Sequence, residues 1–159
     1  MTQSIVTPYP NPAPGGPAFL FDLDGTLVDS VYQHVLAWRE ALEEAGIDLA
    51  VWRIHRRIGM SGGLFVNALL RETGRPVTAE DAARLQQSHA EAYARQVSQV
   101  RALPGARELL AYLTEASVPW AIATSGRLET ARPALELLGV GSGAAVSFSA
   151  FSALLPLRA

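Results

Sequence analysis

The sequence predicts an α/β fold in which a parallel sheet is interrupted by a long helical insertion. Three observations predict it. Residues 18–22 and 118–124 are short apolar runs that end in polar turns, the character of buried strands. Helical periodicity follows each run, and strands alternating with helices form parallel sheets through right-handed crossovers. The segment 30–102 is too long for a single crossover helix and reads as an inserted helical unit.

Residues 1–17 hold five prolines and Gly15-Gly16, which predicts an extended, disordered leader. The first strand occupies 18–22. From Asp29 the period becomes helical, with Val31, Val35, Leu36, Trp38, Ala41, Leu42 and Ala45 on the apolar side and a stop at Gly46. Asp29 reads as the cap of that helix. A second apolar stretch runs from Leu49 to Ile58, and Gly59-Met60-Ser61-Gly62-Gly63 reads as a loop. Leu64 to Arg71 is helical again, stopped by Gly74 and Pro76. Thr78 is placed to cap a helix reaching about Gln99, with Asp81 in its first turn. Leu103-Pro104-Gly105 breaks the pattern. Ala106 to Glu115 forms a short helix, Val118 to Thr124 the second strand, and Leu128 to Leu138 another helix ending at Gly139. Val146 to Phe151 has the alternation of a third strand.

Composition narrows the function classes. Apolar residues make up 49% and charged residues 18%, enough for a packed core. The net charge of −2 and the lack of a basic block argue against a nucleic-acid partner. Without cysteine there are no disulfides, thiolate metal sites or cysteine nucleophile. No apolar run is long enough to span a membrane, and the first residues lack a secretory pattern, so the expected location is cytoplasmic. All 13 basic residues are arginine.

The chemistry concentrates in Phe19-Leu20-Phe21-Asp22-Leu23-Asp24-Gly25-Thr26-Leu27-Val28-Asp29-Ser30. Extended backbone puts positions i and i+2 on one side, so Asp22 and Asp24 can converge where a strand ends. In open α/β sheets ligands bind at that end. Two close carboxylates repel each other and favour a divalent oxygen-seeking cation such as Mg²⁺. A carboxylate can also attack phosphorus, with a second carboxylate as general acid and base.

This string resembles the first motif of the haloacid dehalogenase-like hydrolases, Asp-x-Asp-Gly-Thr-Leu-x-Asp-Ser. The resemblance implies a Rossmann-like parallel core, here incomplete, with an inserted helical cap. The core would comprise 18–29 and 103–159, and the cap 30–102. It further implies Asp22 as nucleophile, Asp24 as acid and base, and Mg²⁺ held by the Asp22 side chain and the Asp24 carbonyl. Leu23 and Gly25 would lie beside the phosphate. Val118 to Gly126 is similar to the second motif, an apolar strand ending in a hydroxyl, so Thr124, Ser125 and Gly126 would hold phosphate oxygens. Asp-Ser-x-x-x-His-x-x-Ala-Trp matches the branch containing β-phosphoglucomutase and phosphoglycolate phosphatase, where this helix opens the cap. There His34 would face the substrate. A half-buried histidine beside a core tryptophan fits the same spacing.

His55 and His89 read as ordinary helix residues, and the three histidines lack metal-ligand spacing. Arg53, Arg56 and Arg57 fit a solvated helix face better than a substrate clamp. The family's third motif, a lysine, has no counterpart. Its fourth, an acidic pair, has none either, since Glu129 and Glu136 are the only acids after Thr124. From Gly139 onward 12 of 21 residues are Gly, Ser or Ala. A truncated gene, a shifted reading frame or a degenerate paralogue would each give that ending. The expected function is a Mg²⁺-dependent phosphatase of small phosphorylated metabolites. A catalytically impaired, phosphate-binding fragment and a sugar-phosphate mutase are the alternatives.

Overall fold

A computed structural model describes residues 18–60, 62–74, 78–140 and 146–148. The leader at 1–17, Ser61, Pro76, and the tail at 141–145 and 149–159 lie outside the described residues.

Three strands form one parallel sheet: β1 (Phe19–Phe21), β4 (Trp120–Thr124) and β5 (Val146–Phe148), in the order β1-β4-β5. Phe19 pairs with Trp120 and Phe21 with Ile122, so the first two strands are direct neighbours, as their motifs predict. Helix α5 (Ala106–Glu115) leads into β4 and α6 (Leu128–Leu137) follows it. Leu110, Ile122, Ala131 and Leu135 pack with Leu23, Leu27 and Val28 in one apolar core.

The insertion is helical throughout its described length apart from its connecting turns: α1 (Val31–Glu44), α2 (Val51–His55), α3 (Gly62–Glu72) and α4 (Ala79–Gln96), then a 3₁₀ turn at Val97–Gln99. A second apolar cluster joins them through Trp38, Leu42, Ile54, Phe65 and Leu69, all 6% exposed or less. Helices α1 and α4 serve both clusters, because Ala37, Ala92 and Tyr93 pack on the sheet side. Thr78 caps α4 by accepting the Asp81 N–H at 3.0 Å. No helix among the described residues is long and apolar enough to cross a membrane.

Two local readings are corrected. The loop at Gly59–Gly63 is shorter than expected, since α3 starts at Gly62. Asp29 does not cap α1. It lies exposed in β2 (Val28–Asp29), paired antiparallel with β3 (Arg101–Ala102). The cap position belongs to Ser30, whose hydroxyl is turned to Asp24 instead of the helix. The two-stranded ladder clips together the points where the chain leaves and re-enters the core. The Leu103 N–H extends it by donating to the Leu27 carbonyl at 2.9 Å.

After β1 the chain folds into one tight turn. The Leu23 carbonyl accepts from the Thr26, Leu27 and Val28 N–H groups, and the Gly25 N–H donates to the Val28 carbonyl at 2.8 Å. Gly25 has φ +78°, and a Cβ there would stand 2.9 Å from Val31 Cγ2 at the start of α1. Gly25→Ala is therefore expected to cost about 1–3 kcal/mol through backbone strain and overlap. A lowered urea midpoint with an unchanged m-value would register it.

Candidate active site

Because β1 and β4 are parallel neighbours, the residues after them emerge at the same edge of the sheet. A cavity of about 390 Å³ opens there beneath the cap. Asp22 and Asp24 line it from the turn after β1, and Ser125, Gly126, Arg127 and Thr130 from beyond β4. His34 and Trp38 contribute from α1, Gln86 and His89 from α4, and Gly59 and Met60 from the loop before α3.

The expected residues divide into two groups. Asp22, Asp24, His34, Ser125 and Gly126 line the cavity. Leu23, Gly25 and Thr124 do not. Leu23 is buried in the core, while its N–H sits beside the Asp22 carboxylate. The Gly25 N–H is used inside the turn. Thr124 is 4% exposed, and its Oγ1 accepts the Gly126 N–H at 3.0 Å, which leaves its hydroxyl proton available. A Cβ at Gly126 would lie 3.2 Å from that oxygen, a tight contact that the Thr124 side chain would have to yield to.

Asp24 is the most constrained side chain. Its Oδ1 accepts the Ser30 hydroxyl at 2.5 Å and lies 3.3 Å from His34 Nε2. His34 Nδ1 is in turn 3.2 Å from His89 Nε2. The His34 ring stacks on Tyr93 at 4.0 Å, and His89 stacks on Trp38 at 4.1 Å.

These surroundings move the two carboxyls in opposite directions. Burial raises Asp22 and Asp24 repulsion adds to it, with the Leu23 N–H opposing. Burial also acts to raise Asp24, but the hydrogen bond and charge of His34 and the Ser30 hydroxyl outweigh it and hold the carboxyl low. Burial, with repulsion from His34, pushes His89 down to about 3 against the pull of Asp24. Tyr93 is raised by burial and by Asp24.

No group of three or more His, Cys, Asp or Glu among the described residues converges as a metal cluster. The Asp22 carboxylate lines the cavity and is an oxygen donor of the kind a hard cation takes. Mg²⁺ is commonly held by one or two carboxylates, with water and substrate phosphate completing its shell.

His89 is the main revision of the sequence reading, since it belongs to the network behind Asp24. Gln86, His89, Ala90 and Tyr93 repeat at i, i+3, i+4 and i+7, and that single helix face was the available signal. Ser30, Gln86 and Arg127 were also missed. Two contacts join the cap to the core across the cavity: Ser125 Oγ donates to the Gly59 carbonyl at 3.4 Å, and Arg127 donates to Gln86 Oε1 at 2.8 Å. Arg53, Arg56 and Arg57 are absent from the cavity wall and line a different surface pocket.

Known proteins resemble this chain in sequence and fold. The family model described as haloacid dehalogenase-like hydrolase matches residues 17–153. Hexitol phosphatase A of Escherichia coli (strain K12) is 34% identical over 124 residues, covering 77% of this chain and 54% of that protein. The crystal structure of a hydrolase from Pseudomonas syringae is 52% identical, with TM-score 0.80, covering 83% of this chain and 61% of that one. A β-phosphoglucomutase from Clostridium difficile shares the fold at 22% identity and TM-score 0.72, covering 87% of this chain and 64% of that one. The chain thus spans between half and two thirds of the length of these relatives. With its matched region running from before β1 to beyond β5, the chain belongs to the haloacid dehalogenase-like hydrolases.

Proposed function

We propose that this chain carries the nucleophile and the acid–base residue of a cytoplasmic, Mg²⁺-dependent phosphatase of small phosphorylated metabolites. The observation that carries this reading is the meeting of Asp22 and Asp24 with Ser125 and Gly126 in one cavity at the sheet edge. The cavity's volume and the hexitol phosphatase named among the relatives favour a phosphorylated polyol or sugar.

An Asp22 carboxylate oxygen attacks phosphorus and forms an O–P bond as the ester P–O bond breaks. Asp24 gives its proton to the departing oxygen. Asp24 then takes a proton from water, whose oxygen attacks phosphorus. The bond to Asp22 breaks and inorganic phosphate leaves. Ser30 and His34 hold the Asp24 carboxyl in place through both steps, and by favouring its ionised form they keep it unprotonated for the base step while opposing the acid step. The free hydroxyl proton of Thr124 is a donor for a phosphate oxygen. The Asp22 carboxylate and Asp24 carbonyl would hold Mg²⁺, which when bound neutralises phosphate charge.

A non-catalytic, phosphate-binding role is the second reading, favoured by a specific absence: the chain has no lysine, and the described cavity wall has no third acid. Hydrolysis of p-nitrophenyl phosphate separates the two. The expected result is a Mg²⁺-requiring rate, abolished by EDTA and well below about 10 s⁻¹, because phosphoryl transfer depends on charge neutralisation. Phosphate binding without turnover would favour the second reading.

A further inference from the structure

We propose that Trp52, Arg53, Arg56, Arg57 and Glu72 form a second anion site, separate from the Asp22 cavity, that takes a compact multivalent oxyanion. These residues line a surface pocket of about 430 Å³, and none of them borders the active cavity. Positions 52, 53, 56 and 57 share one face of α2 and its C-terminal turn, so the site is made of side chains.

The groups are ordered in advance. Arg57 donates to the Arg53 carbonyl at 3.1 Å and pairs with Glu72 of α3. The guanidinium carbons of Arg53 and Arg56 lie 5.4 and 5.9 Å from the centroid of the Trp52 ring. Neither has a carboxylate partner among the described residues. Three guanidiniums against one carboxylate leave two positive charges uncompensated in a chain whose net charge is −2. An oxyanion removes that repulsion, and guanidinium forks match phosphoryl or carboxylate oxygens in pairs. Stacking on an indole restricts the arginines beforehand, which lowers the ordering cost of binding.

The position gives occupancy a consequence. Helix α2 runs on into Ile58, Gly59 and Met60 of the active cavity, while Glu72 ends α3 beyond the same loop. An anion held by Arg53 and Arg56 fixes the C-terminal end of α2, the support that leads into the loop whose Gly59 carbonyl meets Ser125.

Calorimetric titration of the full chain, without divalent metal, tests this. Pyrophosphate and citrate are the probes. The background is Thr124→Val, which weakens phosphate holding in the active cavity. Pyrophosphate is expected to bind this background, and Arg53→Gln/Arg56→Gln is expected to weaken it tenfold or more. Both arginines are exposed, so circular dichroism should be unchanged. Arg53→Lys/Arg56→Lys keeps the charge and should recover part of the binding. Citrate binding alongside pyrophosphate identifies a general oxyanion site, and pyrophosphate alone a phosphoryl site. Pyrophosphate protection of residues 51–60 in hydrogen exchange is expected. No binding, or binding indifferent to the Arg53/Arg56 changes, overturns the proposal.

Discussion

Asp22→Asn is expected to reduce Mg²⁺-dependent hydrolysis of p-nitrophenyl phosphate to the blank rate, a loss on the order of 10⁴-fold where the starting rate permits it. Asparagine keeps the shape of the side chain and removes the attacking oxygen with its charge. Stability should hold or rise slightly, because Asp22 is raised by burial and by repulsion from Asp24, and the substitution relieves both. Asp24→Asn should behave differently. The p-nitrophenolate group leaves without needing a proton, so the first step survives. Hydrolysis of the phosphorylated Asp22 then lacks its base. A burst of nitrophenolate followed by a stall is the expected trace. Equal rates in wild type and Asp22→Asn would remove Asp22 from the mechanism.

Those two carboxylates were legible because everything that positions them is local. An apolar run, a two-residue spacing and a glycine turn lie within a few positions of one another. The parallel pairing of β1 with β4 follows from strand and helix alternation, while Thr124, expected at the phosphate, is buried and does not line the cavity. The residues behind the site were not legible, because their meaning comes from packing. His89 lies 55 positions from His34, and only the pairing of α1 with α4 brings their rings together. Strands β2 and β3 have two residues each, too few to show a period. Asp29 was a reasonable cap by residue type. The ladder took it, and Ser30 was drawn to the charge on Asp24. The arginines of α2 read as a solvated face because neither the Trp52 platform nor Glu72 is implied by their spacing.

Below about pH 6.5 the protein is expected to lose stability more steeply than its His89→Gln variant. Burial, reinforced by repulsion from His34, keeps His89 neutral down to about 3, although Asp24 pulls the other way. In the unfolded chain a histidine titrates near 6.5. Between those limits the unfolded state takes up a proton that the folded state refuses. Stability therefore falls as pH drops through about 6.5, the loss continues toward about pH 3, and nothing is lost above neutrality. The slope is at most about 1.4 kcal/mol per pH unit, or ~2 kcal/mol by pH 5. The groups facing His89 are His34 from α1, Asp24 from the turn after β1, and Tyr93 from its own helix, with Trp38 stacked on the ring. Glutamine keeps a polar side chain there and removes the ionisation. Urea midpoints for both proteins at about pH 7.5 and about pH 5 measure the difference directly. The wild-type midpoint should drop further than the variant's, with Trp38 reporting the loss because it packs between His89 and Phe65. Parallel midpoints across that range would mean that the folded protein accepts the proton at His89, and that the stacked network tolerates a charge beside His34.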